Sequence, residues 1–117
     1  MPARAQRFYF AIDDLHSARG KVDSLSFHGD APDAFAAELQ SALRQPALFE
    51  RWRSMQPDPD AVDPSLGASD ATATVSAKQS DLNTVVTVVT VLPHAILKHR
   101  MSLLIGSHWT LRDVSSA

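Results

Sequence analysis

The chain has 117 residues, of which 44% are hydrophobic and 21% are charged, a composition typical of one ordinary folded domain. Its formal net charge of −2 gives no overall positive field that would attract nucleic acid or an anionic membrane. It has no cysteine, which excludes disulfides, thiolate nucleophiles and cysteine-ligated metal centres. We therefore expect a single domain over residues 1–117 that completes its core without a cofactor.

The N-terminal segment has basic residues but lacks the apolar run of a signal peptide. Phe8–Ile12 is too short for that run, and acidic residues follow it directly. Thr84–Leu92 is uncharged and apolar, but it is far shorter than the roughly 20 residues that cross a bilayer. We expect a cytoplasmic protein without a membrane partner. The frequent Ala, Arg, Asp and Val residues suggest a bacterial sequence.

Two short strands are predicted at the start of the chain. Residues 1–6 contain nothing that could dock and are predicted to be disordered. Arg7–Ile12 places three large apolar side chains on one face, which is typical of a strand. Val22–His28 shows a weaker alternation and ends at Gly29. These two segments are predicted to pair as an antiparallel hairpin.

Two helices are predicted next. Asp30 can cap a first turn, and Pro32 suits a position that needs no intrahelical donor. Large apolar residues recur at every fourth position across Phe35–Leu43 and form one stripe of a helix. Pro46 cannot continue that helix but can begin a second, shorter amphipathic one.

A long loop and a second hairpin follow. Residues 56–70 contain three prolines, one glycine and four aspartates, which predicts an irregular Pro/Asp-rich loop. Ala71–Lys78 alternates small apolar and polar residues, and turn residues separate it from Thr84–Leu92. Because Thr84–Leu92 carries valines on both faces, it is predicted to be the central strand of a sheet. The helices are expected to pack on one face of that sheet.

Residues 94–105 fit either of two structures. Pro93 and Gly106 frame the segment as they would frame a helix, and most of its residues favour helices. A helix, however, would place Arg100 inside the apolar arc. As a strand, the segment aligns five apolar residues on one face. We favour the strand.

The strand interpretation also predicts a hairpin in the tail. Gly106-Ser107 would form its turn, and residues 108–114 would return beside residues 94–105. Arg100 would then lie opposite Asp113, and residues 115–117 would be disordered. The predicted fold is α+β: a mostly antiparallel sheet of about six strands in the order β-β-α-α-β-β-β-β, with two short helices packed on one face.

No motif identifies an enzyme. The five histidines lack the spacing of a metal site, and the aspartates of the 56–70 loop lack the glycine and closing glutamate of a calcium loop. A nucleophile elbow and a glycine-rich phosphate loop are both absent from the sequence. The remaining catalytic hypothesis combines His16 or His28 with Asp13 or Asp14. We expect no catalytic residues and no metal.

One basic cluster has an aromatic neighbour. Lys98, His99 and Arg100 are consecutive, and the predicted tail hairpin brings Arg112 and Trp109 close to them. Lysine and arginine can hold phosphate groups, and an aromatic ring can stack on a base. The cluster is therefore a candidate surface for RNA or for a small ligand.

The segment Leu104–Leu111 has an apolar pair, a glycine, a small polar residue and then a strand-like stretch. In this it resembles the second signature of Sm-like RNA-binding proteins. The resemblance implies a helix followed by short bent strands, assembly into a ring, and binding of single-stranded RNA. Gly106, Ser107 and His108 would then lie near the RNA.

The function favoured by the sequence is a non-enzymatic interaction or small-ligand-binding domain that self-associates as a dimer or larger oligomer. A pocket between helices and sheet is one form that its site could take, with the expected lining Phe35, Leu39, Trp52, Met101 and Trp109. The alternative is an Sm-like RNA-binding module. Under either hypothesis the candidate ligand- or RNA-binding residues are Lys98, His99, Arg100, Gly106, Ser107, His108, Trp109 and Arg112.

Overall fold

A computed structural model describes residues 4–117, so the part of the predicted disordered segment at 1–3 lies outside the described residues. Within residues 4–117, four strands form one antiparallel sheet, and three α-helices accompany it. The elements are β1 (Gln6–Ile12), α1 (Pro32–Arg44), α2 (Ala47–Ser54), β2 (Thr74–Ser80), β3 (Asn83–Thr90), α3 (His94–Ile105) and β4 (Thr110–Ser116). The α+β class and the antiparallel sheet are confirmed, but the order is β-α-α-β-β-α-β.

The hairpin of β2 and β3 forms where it was predicted. Ser80 pairs with Asn83, so Asp81 and Leu82 form a two-residue turn. Asp81 has φ 52°, the left-handed conformation that tight hairpin turns require and that aspartate tolerates. The strand order β2-β3-β1-β4 places β3 and β1 inside the sheet and leaves β2 and β4 at its edges.

α1 and α3 cover one face of the sheet. Phe8 and Phe10 of β1 share that face with Val86 and Val88 of β3, and all four are buried. They pack in one core with apolar residues of α1 and α3. On the opposite face of β3, Val85, Thr87 and Val89 are only half-buried.

Both predicted helices of the first half are confirmed, with one correction at the first turn. The apolar stripe Phe35–Leu43 lies in α1 and faces the core. The capping residue is Ala31, which has no side chain to cap the helix, whereas Asp30 lies 4.0 Å from His16. Pro46 separates α1 from α2, as its ring geometry requires.

The second predicted strand, Val22–His28, is wrong. This segment contains a single 3₁₀ turn at Asp23–Leu25, and Phe27 N–H then donates to the Leu104 carbonyl oxygen at 2.9 Å. β1 has no free edge for another partner, because β3 and β4 occupy both of its sides. The alternation that suggested a strand reflects two buried side chains, Leu25 and Phe27, in a segment that lies against α3.

The predicted strand at 94–105 and its tail hairpin are also wrong. The segment is α3, and it ends at Gly106, which has φ 64° and donates from its N–H to Ser102 O at 2.9 Å. β4 pairs with β1 instead, so Asp113 lies opposite Tyr9 and never meets Arg100. Pro93 and Gly106, the helix-start and helix-end signals, indicated the structure correctly, although a helix places Arg100 in the apolar arc.

The sheet extends into both segments that were predicted to be disordered. Gln6 pairs with Ser116, and Arg7 pairs with Ser115. The last described residue continues this contact, since Ala117 N–H donates to Ala5 O at 3.2 Å. Strand pairing across β1 supplies partners that are far apart in the sequence, and local composition could not reveal them.

The Pro/Asp-rich loop contains two 3₁₀ turns, at Pro59–Ala61 and Pro64–Gly67, and ends in a buried carboxylate. Asp70 is 7% exposed and accepts hydrogen bonds from Thr72, Thr90 and the N–H of Val91. Burial alone would raise the pKa of Asp70, but these hydrogen bonds outweigh it and lower that pKa to about 2. Asp70 is therefore a buried anchor that joins the end of the loop to the end of β3.

Candidate ligand-binding cavity

A cavity of about 640 Å³ opens beside α3, where α2, the segment around Lys21 and the start of β4 approach it. Its walls combine aromatic and aliphatic surface with basic and hydroxyl groups, and none of the lining residues is Asp or Glu. The lining residues are Lys21, Val22, Trp52, Lys98, His99, Ser102, Leu103, Gly106, Ser107 and Trp109.

One side of α3 supplies four of these residues. Lys98 and Ser102 are four positions apart, as are His99 and Leu103, so the four form adjacent rows on one helix face. The opposite side of α3 enters the core through Leu97, Met101 and Leu104. One side of α3 therefore forms a wall of the cavity, and the other side packs in the core.

A close glycine contact holds the Lys21 segment against α3. A Cβ atom on Gly20 would lie 2.2 Å from the Leu103 carbonyl oxygen, so only glycine fits there. Gly20 N–H donates to Ser26 Oγ at 2.8 Å, and that hydroxyl lies 3.2 Å from Leu104 O. These contacts place Lys21 and Val22 on the cavity wall.

Arg19 organises the rest of that segment. Its guanidinium lies over the Phe27 ring, 5.7 Å from the ring centroid. It donates to four backbone carbonyl oxygens, those of Leu15, Ala18, His28 and Gly29. Arg19 was not among the predicted site residues, because an arginine in a polar connection gives no local sign of its distant acceptors.

Both tryptophans of the chain line the cavity, and packing fixes both indole rings. Trp52 meets the His99 ring edge to face at 4.5 Å between centroids. Trp109 meets Phe10 edge to face at 5.3 Å, and its Nε1–H donates to Gly106 O at 3.0 Å. The two indoles thus form rigid walls.

The cavity has an unbalanced positive charge. Among the ion pairs of residues 4–117, none involves Lys21 or Lys98. Burial, together with the positive charge of Arg100, lowers the pKa of His99 below 6.5, so this imidazole is neutral at pH 7. Its Nδ1 is buried and has no hydrogen-bond partner within the described residues.

The structure brings together five of the eight predicted site residues. Lys98, His99, Gly106, Ser107 and Trp109 all line the cavity. The other three are elsewhere. His108 is exposed just past Gly106, and Arg112 is the extra residue of a β-bulge where Tyr9 pairs with Asp113 and Phe10 with Leu111.

Arg100 is the third predicted site residue that lies outside the cavity. Its position shows that the predicted basic surface cluster is wrong. Its side chain is 0% exposed, so it cannot contact a ligand at the surface. Its guanidinium donates to the carbonyl oxygens of Ala42, Leu66 and Ala68 and lies 5.7 Å from the Phe49 ring centroid. Successive residues of a helix point in different directions, which separates Arg100 from Lys98.

The expected helix-to-sheet pocket is also corrected. Phe35, Leu39 and Met101 are each 0% exposed and fill the core, whereas Trp52 and Trp109 line the cavity beside α3. Within α3, helical periodicity separates the buried Met101 from Lys98 and Ser102 on the cavity side, and the strand interpretation did not use this signal.

The structure does not assemble the histidine–aspartate pairs of the catalytic hypothesis. The ion-pair partner of His16 is Asp30, and His28 Nε2 lies 2.7 Å from the backbone oxygen of Asp23. Asp14 instead accepts from Ser17 Oγ at 2.7 Å. Within the part of the chain that the structure describes, no group of three or more histidine or acidic side chains is placed to hold a metal ion.

The segment that resembles the Sm-like signature spans the last turn of α3, its glycine cap and the first residues of β4. It is therefore not a turn between two strands. None of the helices in residues 4–117 has the length and apolar character needed to cross a membrane. Comparison with protein-family models, with curated proteins and with solved structures finds no match for this chain.

Proposed function

We propose that this protein is a non-enzymatic small-molecule-binding domain and that its site is the cavity beside α3. The observation that carries the proposal is that both tryptophans line one cavity with two lysines that, within residues 4–117, have no ion-pair partner and no acidic neighbour on the wall. The cavity volume of about 640 Å³ lies within the range of about 300–1,000 Å³ that is usual for small-molecule sites.

Preorganisation of the walls supports this proposal. Trp109 is fixed by Phe10 and Gly106, and Trp52 by its contact with His99. A ligand that meets rigid side chains loses less conformational entropy on binding than one that must order them. The cavity thus offers preformed apolar surface with a few polar groups, which is the usual design of a ligand site.

Occupancy of the cavity can be tested with the fluorescent probe 1-anilinonaphthalene-8-sulfonate. We expect the probe to bind the folded protein and to quench tryptophan emission, since both indoles line the site. Ser102→Phe would fill the cavity and should abolish binding. Ser69→Phe adds the same bulk at an exposed position of the 56–70 loop, outside the cavity, and should leave binding unchanged. Equal binding by both variants, with thermal unfolding curves like that of the wild type, would contradict the proposal.

The alternative function, an RNA-binding module that assembles into a ring, has less support. Arg100 is buried, and the tail forms a helix end and an edge strand in place of the hairpin. Light scattering with absorbance at 260 and 280 nm on the same chromatographic peak separates the two functions. A ring mass with raised 260 nm absorbance would favour RNA.

Self-association remains a second proposal, and it rests on the half-buried face of the sheet. This face carries Val85 and Val89 at its centre, Lys78 at the β2 edge and Asp113 at the β4 edge. A two-fold axis parallel to the strands would place the face of a second copy against this one. Lys78 at the β2 edge of each copy would then lie over Asp113 at the β4 edge of the other. Light scattering should then give more than the 12.7 kDa of one chain, whereas a strict monomer at high micromolar concentration would contradict this.

A further inference from the structure

We infer that the ligand of this cavity is an aromatic anion, a ring system of one or two fused rings joined to a carboxylate or a phosphate group. This inference rests on the proposed function, because it names the ligand class of the same site. It requires that one set of wall residues selects the negative charge of the ligand and that another set selects its aromatic ring.

The charge selection comes from Lys21 and Lys98. They line the cavity from two separate segments of the chain, and within residues 4–117 neither takes part in an ion pair. Both side chains are exposed, so an anionic ligand could pair with their ammonium groups, whereas a cationic ligand would meet like charges. Long lysine stems allow both charges to reach one anionic group.

The remaining polar groups of the wall are compatible with an anion. Ser102 and Ser107 can donate hydrogen bonds through their hydroxyl groups. His99 is neutral at pH 7, so it adds no charge of its own to the two ammonium groups. No carboxylate on the wall would repel the ligand.

The ring selection comes from Trp52 and Trp109. Each indole is held edge to face by another aromatic ring, His99 at 4.5 Å and Phe10 at 5.3 Å. Aromatic pairs gain attraction from the ring quadrupole beyond the apolar area that they bury, so an aromatic ligand is favoured over an aliphatic one of equal size. The volume of about 640 Å³ accommodates a fused bicyclic ring with its acidic group.

Isothermal titration calorimetry with matched acid and neutral compounds tests this ligand class. Indole-3-acetate and indole-3-acetamide have nearly the same shape but differ in charge. We expect the acid to bind about tenfold more tightly than the amide, and the difference to shrink as salt rises from about 50 to about 500 mM. A second arm compares guanosine monophosphate with guanosine, and the stronger arm identifies carboxylate or phosphate as the preferred anion.

Two lysine variants and one exposed arginine variant provide a matched control. Lys21→Met and Lys98→Met keep the apolar stem but remove the charge, and each should weaken binding of the acid severalfold while leaving binding of the amide unchanged. Arg4→Met removes an exposed positive charge outside the cavity and should change the affinity for neither compound.

The outcomes distinguish this inference from the proposed function. The inference of an aromatic anion would be overturned if the acid bound no more tightly than the amide and the nucleotide no more tightly than the nucleoside. It would also be overturned if the double Lys21→Met/Lys98→Met variant bound the acid as tightly as the wild type. If none of these compounds binds, the inference also fails. In each case, binding of the uncharged dye Nile red that Ser102→Phe abolishes would still support a ligand-binding cavity.

Discussion

The guanidinium of Arg100 donates from Nη2 to the carbonyl oxygen of Leu66 at 2.7 Å, across 34 positions of the sequence. The same nitrogen lies 2.9 Å from Ala68 O, and Nη1 lies 3.3 Å from Ala42 O in the last turn of α1. Carbonyl groups in the last turn of a helix lack intrahelical donors. One buried arginine thus joins α3, the end of α1 and the 3₁₀ turn at Pro64–Gly67, and no carboxylate of residues 4–117 forms an ion pair with it.

We expect Arg100→Met to lower the free energy of unfolding by about 3 kcal/mol, because it removes the donor to one buried and two partly buried carbonyl groups. Arg112→Met removes an exposed arginine from the β4 bulge and should change the stability by no more than about 0.5 kcal/mol. Urea unfolding followed by circular dichroism measures both. Equal midpoints for the two variants would show that the Arg100 hydrogen bonds contribute nothing net.

The carboxylate of Asp70 makes stability depend on acid. Its pKa of about 2 lies below the usual 3.8, so it remains charged at pH values where the unfolded chain is already protonated. Its contribution is fully present above the unfolded pKa and is lost as the pH falls through 3.8 towards 2. Asp70→Asn should remove about 2 kcal/mol at pH 7 and flatten the stability profile in this range. Asp58→Asn, an exposed residue of the same loop, should leave the profile unchanged.

The contact of Gly20 with α3 predicts a backbone effect. In Gly20→Ala the new methyl group would meet the Leu103 carbonyl oxygen at 2.2 Å, and a helix backbone cannot move aside easily. We expect a loss of about 2–4 kcal/mol in urea unfolding, together with increased hydrogen exchange around residues 19–22. Ser24→Ala, at an exposed position of the same segment, is the control. Similar exchange in both variants would argue against a close backbone contact.

His99 and Trp52 form a pH-sensitive pair that fluorescence can follow. A protonated imidazole quenches a neighbouring indole. In a Trp109→Phe background the emission of Trp52 should therefore fall as the pH is lowered, with a midpoint below pH 6.5. Because the folded-state pKa is lowered, the unfolded chain binds the proton first and the free energy of unfolding should fall as pH drops through 6.5. Adding His99→Phe should abolish the emission change, and a midpoint at or above pH 6.5 would contradict the lowered pKa.

Local signals were sufficient for the β2–β3 hairpin and for α1. The turn residues beside Asp81 and the fourfold spacing from Phe35 to Leu43 act within a few positions of the chain. α3 was predicted to be a strand because a helix would place Arg100 in its apolar arc, where burial of an unpartnered charge is costly. Its three acceptors lie 32 to 58 positions away in the sequence, and no local pattern records them.

The candidate site was found in part and for a mistaken reason. Lys98, His99, Gly106, Ser107 and Trp109 were grouped as a hairpin surface, and they meet instead because α3 and its glycine cap bring them to one cavity. Lys21 and Trp52 come from distant segments, which pack against α3 only in the folded chain. Their approach depends on backbone contacts such as that of Gly20, which a single sequence does not reveal.

The position of β1 within the sheet imposes an order on folding. Both of its neighbours, β3 and β4, come from the last third of the sequence, so Phe8–Ile12 has no strand partner until Asn83–Ser116 is available. Such long-range pairings form slowly, and in the meantime this aromatic segment presents two open edges. Aggregation during refolding should therefore begin at β1, and β2 with β3 should form the first stable hairpin.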